Sequence, residues 1–490
     1  MRLLCLIFLL FCQFPLGAQD SLARTDAPAI LTDLHDHILR YHAYGPALEP
    51  ALQVALVESR RRLDSISQTP GDSLSYGRFL ALSRPLQEAT GDGHLFLFPN
   101  VNDARRDSLR ARSNPLAFVR VVTGDYVLVI PTPVSSGDTL AAGTQVLRIE
   151  QRSIREVMDD LVSWRGLNDH NNYRGSNFVM GLGFQYQYQL REGLRDSIAL
   201  TVRDSLGDRE VQFLTRTPKP TQSPAVDSLA TRKPPVKKVK KPRGPTKRDW
   251  DLEKLDSTDI WVLTIGTFNS KRLRHPGFKK LARAAFDTLN QVGATKLVID
   301  VRANSGGRID YVRELLRYLS PEPFQHVGTF VSDSPNGNGD NPWMNIGLFL
   351  NGVRKKDGRY VKRSLAKFTE PHPAGRRFRG DLVVLVGEQT FSAGVLFAHA
   401  VQANGLGTLI GRSGGGSQQY GTAGQSFEYP IGPNEEFELS MMNFRLDLPK
   451  PFARNLTPDI AVPIEVSHIL DDVDNTMEVA REFLLGPTQY

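Results

Sequence analysis

The sequence predicts an α/β fold for the C-terminal half of the chain, and two observations support this. Runs of Val, Ile and Leu that are long enough for buried strands alternate with stretches whose apolar residues have helical spacing. Continuous apolar strands between helices are typical of a largely parallel sheet covered by helices. The predicted strands are 260–265, 296–300 and 382–386, and the predicted helices are 279–291, 309–319 and 392–402. We assign this α/β domain to 249–490.

The N-terminal part has a helical pattern instead. Apolar residues at three- and four-residue spacing predict helices at 29–44, 47–67 and 75–88, although Pro85 interrupts the third pattern. A Gly-Asp-Gly turn at 91–93 and an apolar strand at 95–98 follow. We therefore expect an N-terminal helical subdomain at 19–115.

A small β-rich module is predicted at 116–215. Its short β-type runs are separated by turns rich in Gly, Asp and Ser, and one helix is predicted at 154–164. The predicted strands are 118–122, 126–130, 145–149 and 198–202.

The first residues predict export. Met1-Arg2 is followed by an apolar run, Leu3 to Phe14, and then by the small residues Gly17-Ala18. This order is typical of a secretory signal peptide, which we place at 1–18. The run is shorter than the ~20 apolar residues that span a bilayer, which argues against a membrane anchor. A lipoprotein signal at Cys12 is disfavoured because bulky Phe11 precedes the cysteine.

Cleavage after Ala18 has a consequence for the chemistry. Both cysteines of the chain, Cys5 and Cys12, would leave with the signal peptide. The mature protein would then contain neither a thiol nucleophile, nor a thiolate metal site, nor a disulfide. We expect a periplasmic or secreted protein without a transmembrane segment.

The net charge of +7 comes from one segment. Residues 216–248 contain eleven Lys and Arg against a single acid, Asp227, and are rich in Pro, Ser and Thr. Attraction to an anionic surface is one interpretation, and a solvated, flexible linker is the interpretation we favour. No aromatic residues alternate with the basic ones and no groove-reading motif is present, so no nucleic-acid partner is predicted.

Three segments could carry chemistry, and the first is Asp300 to Gly307. It follows a predicted buried strand, and its two glycines, Gly306 and Gly307, allow a sharp turn that brings backbone N–H groups close to a bound atom. Such N–H groups form an oxyanion hole, in which one donor contributes about 3–4 kcal/mol. The alternative is a plain strand-to-helix turn capped by Asn304.

The second segment contains Ser392 between a predicted strand and a predicted helix. A serine at a helix N-terminus is commonly an N-cap. The same position suits a nucleophile, because the next N–H, that of Ala393, is free to stabilise an oxyanion. The segment is not a Gly-x-Ser-x-Gly elbow, since Thr390 stands where the first glycine would be.

The third segment contains His94, between the glycine turn and an apolar strand. A histidine has a near-neutral pKa, which suits a general base, although a lone loop histidine is more commonly a surface residue. Metal chemistry has little support. The chain has no His-Glu-x-x-His, and His35-Asp36-His37 fits the polar face of a predicted helix. No metal or organic cofactor is predicted.

Taken in this order, the segments resemble the serine peptidases related to C-terminal processing peptidases and the tricorn protease. The resemblance covers most of 80–465 and leaves the basic segment unmatched. It rests on Asp-x-Arg-x-Asn-x-Gly-Gly at 300–307, the Ser-Ala pair at 392–393, Gly-Leu-Gly-Thr-Leu-Ile-Gly at 405–411, Pro-Asp-Ile-x-Val at 458–462 and a segment at 142–150 similar to a PDZ core. It implies a crotonase/ClpP-like α/β catalytic domain and a PDZ-like β-rich module.

One departure decides the expected subtype. The processing peptidases draw a lysine base from a Gly-Lys-Gly segment about twenty-five residues after the serine, and this chain has Ser417 there. The tricorn-like branch uses a histidine from a distant N-terminal segment, and His94 fits that role. Val395 stands where the family often has an acid. The group that orients His94 is left open between Asp92 and the glutamates 435, 436 and 438.

The resemblance thus implies a serine peptidase with Ser392 as nucleophile and His94 as general base, acting on peptides or proteins. The N–H of Ala393 and that of Gly306 or Gly307 would form the oxyanion hole. Two alternatives stay open. One is an esterase or acyl hydrolase with the same residues, and the other is a non-catalytic carrier, since the family includes retinoid carriers on this fold.

Overall fold

The computed structural model of the chain describes residues 21–66, 73–100, 114, 116–164, 184–216, 246–333, 346, 349–350, 352–362, 367–414, 422–450 and 456–486. The predicted signal peptide and most of the predicted basic linker, 217–245, lie outside these residues. Across the described ranges, none of the helices has both the length and the apolar character needed to cross a bilayer.

The N-terminal part is built from helices, as predicted. Ile30, Leu34 and Ile38 recur at helical spacing and form one buried face of the first helix. Pro85 lies near the end of the third helix and does not break it. The elements are β1 (Ser21–Ala23), α1 (Ala27–Tyr41), α2 (Gly45–Asp64), β2 (Ser73–Ser75), α3 (Tyr76–Glu88) and β3 (Phe96–Pro99).

The β-rich module, which the resemblance predicts to be PDZ-like, is a small antiparallel sheet with a helix. Buried residues alternate with partly buried ones along Ser197–Asp204, so one face of the sheet packs in the core. The elements are β4 (Phe118–Arg120), β5 (Tyr126–Leu128), β6 (Thr132–Pro133), β7 (Thr139–Leu140), β8 (Gln145–Ile149), β9 (Arg152–Ser153), α4 (Ile154–Trp164), α5 (Phe184–Glu192), β10 (Ser197–Asp204) and β11 (Gly207–Leu214). Strand order is β11-β10-β8-β5-β4, and β9 pairs with β8. The predicted strands and the helix are confirmed, whereas α5 and β11 were not predicted.

A mainly parallel sheet forms the centre of the α/β domain. Its strands are β12 (Asp251–Lys254), β13 (Ile260–Thr264), β14 (Lys296–Asp300), β18 (Asp381–Val386), β19 (Thr408–Gly411) and β22 (Ile460–Ala461), in that order across the sheet. Only the β12–β13 pair among them is antiparallel. Asp300 of β14 is in register with Leu385 of β18, so the loops that follow these two strands leave the same edge of the sheet.

Helices cover both faces of this sheet, as the apolar strands predict. On one face lie α6 (Phe278–Gln291), α7 (Ile309–Leu319) and α8 (Ala393–Ala403), whose buried residues join the strand residues Leu297, Ile299 and Val384 in one core. On the other face, Ala480 and Leu484 of α10 (Asn475–Leu485) pack against Val298, Val383 and Leu385. A short helix, α9 (Val466–Leu470), precedes α10.

A second, antiparallel sheet was not predicted. It consists of β15 (Phe330–Ser332), β16 (Val353–Lys356), β17 (Arg359–Lys362), β20 (Thr422–Ile431) and β21 (Phe437–Leu446), in the order β16-β17-β15-β21-β20. Strand β3 also pairs with β21. The N-terminal helices pack on the β20–β21 hairpin, with the rings of Phe79 and Phe437 stacked at 4.6 Å. This sheet therefore holds the segment before β3, which contains His94, against the α/β domain.

Candidate active site

Ser392 lies at the carboxyl end of β18, in the turn that leads into α8. Its backbone has φ 51° and ψ −121°, a conformation that costs an L-residue about 1–3 kcal/mol. Its side chain makes no capping hydrogen bond to the helix. The N-cap interpretation therefore does not explain this serine. A strained strand-to-helix turn of this kind is typical of a nucleophile, although the Gly-x-Ser-x-Gly pattern is absent.

Thr390 explains how the turn keeps its shape without that first glycine. Its side chain is fully buried, donates to the carbonyl of Val301 at 2.9 Å and accepts from the N–H of Gly387 at 3.0 Å. The N–H of Phe391 donates to the carbonyl of Asn304 at 2.9 Å. These bonds join the loop after β18 to the loop after β14. The serine is thereby held against the glycine turn.

The glycine turn lies in contact with Ser392. A Cβ placed on Gly306 would come within 2.7 Å of Ser392 Cβ and 3.1 Å of the Ala393 nitrogen. Asn304, which is fully buried, braces the turn, since its Nδ2 donates to the carbonyl of Ile265 and its Oδ1 accepts from the N–H of Gly306 at 2.9 Å. The Gly306 N–H is thus already engaged. Of the two alternatives predicted, only Gly307 keeps a donor for an oxyanion.

Two N–H groups near Ser392 have no hydrogen-bond acceptor among the described residues. The Gly306 carbonyl accepts from Phe268, and in a trans peptide the next N–H, that of Gly307, points the opposite way. Ala393 is the first residue of α8, so its N–H has no acceptor within the helix. Both groups lie beside Ser392, where the helix N-terminus also favours negative charge.

His94 faces the serine from the other side. Its Nε2 lies 3.2 Å from Ser392 Oγ, although 298 residues separate the two in sequence. The imidazole is half-buried, and its ring lies 4.6 Å from that of Phe391. The packing of β3 on the hairpin, which the sequence pattern did not predict, makes this approach possible.

Thr422, which sequence analysis did not single out, defines the tautomer of His94. The Thr422 hydroxyl lies 2.8 Å from Asp92 Oδ1 and 3.1 Å from His94 Nδ1. An ionised carboxylate only accepts, so the single hydroxyl proton goes to Asp92. The hydroxyl oxygen therefore accepts from His94 Nδ1–H. This leaves Nε2 unprotonated and directed at the serine hydroxyl, as a general base requires.

Asp92 is buried beneath this contact, with 1% of its surface exposed. Burial alone would raise its pKa, but hydrogen bonds from His42 and His94 outweigh burial and hold the pKa well below its usual range. Its Oδ1 also accepts from the backbone N–H of His94 at 2.9 Å. Asp92 is thus an anion that fixes both the backbone and, through Thr422, the ring of His94.

The glutamates considered from sequence lie elsewhere. Glu438 lies opposite Phe98 of β3, four residues after His94, which at ~3.3 Å per residue is about 13 Å along the strand. Glu436 bonds to Asn434 in the hairpin turn, next to Glu435. None of the three is the partner of His94. Ser417, at the position of the lysine base in related enzymes, lies outside the described residues.

The acidic and basic members of the Asp300-x-Arg302 motif have a structural explanation. The Arg302 guanidinium binds the Asp300 carboxylate and, through Nη1 at 2.6 Å and Nη2 at 2.7 Å, the Asp474 carboxylate. Although burial opposes it, pairing with Asp474 and Asp300 raises the pKa of Arg302. Asp474 caps α10 through the N–H of Met477. The motif therefore ties the loop after β14 to the helix behind the sheet.

Comparison with known protein families finds a match for most of the α/β domain. Residues 259–462 match the model of peptidase family S41. This part of the chain is therefore similar to the S41 peptidases. The family resemblance predicted from the motifs is confirmed, and the family match classes the protein as a serine-type peptidase. The tricorn-like subtype and the crotonase/ClpP-like description stay predictions, as do the domain boundaries.

Solved structures share the fold over almost the whole chain. A serine-to-alanine mutant of CPAF is 14% identical over 95% of this chain and 99% of its own, with a TM-score of 0.62. Mature CPAF complexed with lactacystin is 14% identical over 94% and 99%, with a TM-score of 0.60. At this identity the likeness shows the fold alone. Comparison with curated protein sequences gave no match.

Proposed function

We propose that this protein is an exported enzyme that hydrolyses peptide bonds with Ser392 as nucleophile and His94 as general base. The observation that carries the proposal is the approach of His94 Nε2 to Ser392 Oγ, 3.2 Å, in the tautomer that accepts the hydroxyl proton. The substrate is a peptide or protein, because this is the substrate class of a peptidase.

The proposed reaction begins with attack of Ser392 Oγ on the carbonyl carbon of the scissile bond. His94 Nε2 takes the hydroxyl proton as the bond forms and returns it to the leaving amine. While the imidazole is doubly protonated, its positive charge lies next to the Asp92 carboxylate, 3.4 Å from Nδ1. Water then attacks the acyl-enzyme with the same histidine as base, which releases the second product and restores Ser392.

The negative charge that develops on the carbonyl oxygen needs donors that are in place beforehand. The N–H groups of Ala393 and Gly307 serve this purpose in the proposal, and removal of one such donor typically costs about 3–4 kcal/mol in the activation barrier. The Gly306 N–H is assigned to the structure of the turn, since it already donates to Asn304.

A fluorophosphonate probe tests this proposal, because it phosphonylates an activated serine. We expect covalent labelling of the wild type, no labelling of Ser392→Ala, and at least about 10²-fold slower labelling of His94→Ala. A wild-type protein that folds but does not label would favour the carrier alternative. Parallel assays on peptide and ester substrates separate a peptidase from an esterase, and turnover of esters alone would overturn the peptide-bond assignment.

Export rests on the apolar N-terminal segment and has its own test. We expect material secreted by a bacterial host, or recovered from its periplasm, to begin at Gln19, the residue after the predicted cleavage site. A protein that begins at Met1, or that carries lipid on Cys12, would contradict this part of the proposal.

A further inference from the structure

His42 lies directly after α1, deep in the protein and beneath the active site. It is 1% exposed, and its Nε2 lies 3.1 Å from Asp92 Oδ2, the carboxylate oxygen on the side away from Thr422. The backbone of His42 is fixed on both sides, since its N–H donates to Ile38 and its carbonyl accepts from Gly45. The backbone that carries the imidazole is therefore fixed between the end of α1 and the start of α2.

The surroundings of His42 assign its tautomer. The backbone N–H of Tyr44 donates to His42 Nδ1 at 3.2 Å, so Nδ1 carries no proton. The ring proton is then on Nε2 and is donated to Asp92. His42 in this form is neutral. It contributes a hydrogen bond to the buried carboxylate without adding a charge.

We propose that His42 is a positioning residue of the active site: it holds the Asp92 carboxylate in the orientation and ionisation state that Thr422 and His94 require. This inference rests on the proposed function of Ser392 and His94. The chain of contacts then runs from Ser392 through His94, Thr422 and Asp92 to His42. Nothing in the His42 segment indicated this role, since its partner is 50 residues away in sequence.

The role has a consequence for the pH dependence of the reaction. Within the described part of the chain, the titratable groups that face Asp92 are His42 and His94. A hydrogen bond to a carboxylate lowers its affinity for a proton. Without the His42 donor, the Asp92/His94 pair holds its proton more tightly, so the base form of His94 appears at higher pH. The acid limb of the plot of labelling rate against pH therefore moves to higher pH.

The test compares three variants by the rate of fluorophosphonate labelling between pH 5 and 9. His42→Phe removes the donor while keeping an aromatic ring, and His42→Gln keeps an N–H donor at the end of the side chain. His35→Phe is the matched control, because His35 is a buried histidine within α1, the helix that precedes His42, and its side chain contacts Asp36 and Gln53 instead. Circular dichroism checks that each variant is folded.

We expect His42→Phe to label about tenfold more slowly at pH 7 and its acid limb to lie about one pH unit higher. His42→Gln should recover most of both effects, and His35→Phe should match the wild type. An unchanged profile for His42→Phe, or a rate lowered by the same factor at every pH, would overturn the inference, because a merely structural role predicts no shift.

Nitrogen-15 NMR of the histidine rings tests the inference even if the protein does not react with the probe, because it reads the position of the ring protons directly. In the wild type we expect His42 to be protonated on Nε2 alone, and in His42→Phe or His42→Gln the titration of His94 to report the change at Asp92. A wild-type His42 with its proton on Nδ1 would overturn the inference even if His42→Phe fails to fold. A wild type that does not label would refute the proposed function, whereas the NMR result would still decide the role of His42.

Discussion

The hydroxyl of Thr422 donates a hydrogen bond of 2.8 Å to the carboxylate of Asp92, although 330 residues separate them in sequence. One residue begins β20 and the other lies in the loop before β3. Their contact joins the antiparallel sheet to the N-terminal part at the point where His94 meets Ser392. The orientation of His94, the proposed base, thus depends on the segments of Asp92 and Thr422, which are both distant from Ser392 in sequence.

The first prediction concerns the hydroxyl of Thr422. Thr422→Val has nearly the same shape but no hydroxyl, so His94 Nδ1–H loses its nearer acceptor and keeps only Asp92 Oδ1, 3.4 Å away, which orients the ring less firmly. We expect kcat/KM, measured on a peptide substrate that the wild type cleaves, to fall by about 10- to 100-fold. Thr422→Ser keeps the hydroxyl and should keep most of the activity. Equal losses in the two variants would contradict a role for the hydroxyl itself.

The second prediction concerns the stability conferred by Asp92. Its pKa in the folded protein is well below the unfolded value of 3.8. The stabilisation is therefore fully present above about pH 4, and it decreases as the pH falls further, because the unfolded chain takes up the proton first. We expect Asp92→Asn to be less stable than the wild type at pH 7, with a difference that narrows between about pH 4 and pH 2.

Urea unfolding at several pH values measures this difference. Asp64→Asn is the control, since Asp64 is an exposed carboxylate at the end of α2. It should leave the free energy of unfolding nearly unchanged, within about 0.5 kcal/mol. A constant difference between Asp92→Asn and the wild type across this range would show that Asp92 is not held as an anion.

The third prediction concerns the close approach of the glycine turn to Ser392. Gly306→Ala places a Cβ within 2.7 Å of Ser392 Cβ at a φ of +105°, so the turn and the serine must separate. Gly358→Ala is the matched control. Gly358 also has a positive φ, +78°, but nothing lies within 4 Å of its Cβ position.

Both alanine variants carry backbone strain of about 1–2 kcal/mol. We expect only Gly306→Ala to lose fluorophosphonate labelling, by at least about tenfold, because it displaces the donors beside Ser392. Comparable activity in the two variants, measured after confirming that both are folded, would mean that the turn does not need to touch the serine.

Much of the α/β domain could be predicted from sequence because its signals are local. The buried strand at 296–300 and the helix at 309–319 have the bounds predicted for them, since each is an apolar run or a helical pattern bounded by turn residues. The β20–β21 hairpin was missed because its strands pack on the N-terminal helices, which are distant in sequence and leave no local pattern in the hairpin itself. His35 was predicted to lie on the polar face of its helix but is buried. Burial is tolerated because both ring nitrogens have hydrogen-bond partners, Asp36 and Gln53.

The site was predictable only where chemistry and local sequence coincide. Ser392, Ala393 and the Gly306-Gly307 turn follow strands, and His94 stands beside glycines, so each carries a signal of its own. Thr422 and His42 carry none, because a threonine at the start of a strand and a histidine after a helix are ordinary. Their importance arises from contacts over 328 and 50 residues, which only the fold determines.

The last prediction concerns the strain at Ser392. A serine at φ 51° and ψ −121° is disfavoured, whereas glycine adopts this conformation readily. Ser392→Gly should therefore abolish labelling, as Ser392→Ala does. Its free energy of unfolding should exceed that of Ser392→Ala by about 1 kcal/mol, a figure that already allows for the larger entropy of glycine in the unfolded chain. Both variants lack the hydroxyl, so the comparison isolates the backbone. Denaturant unfolding measures it. If Ser392→Gly is no more stable than Ser392→Ala, the turn is not strained, and strain is not what marks Ser392 as a nucleophile.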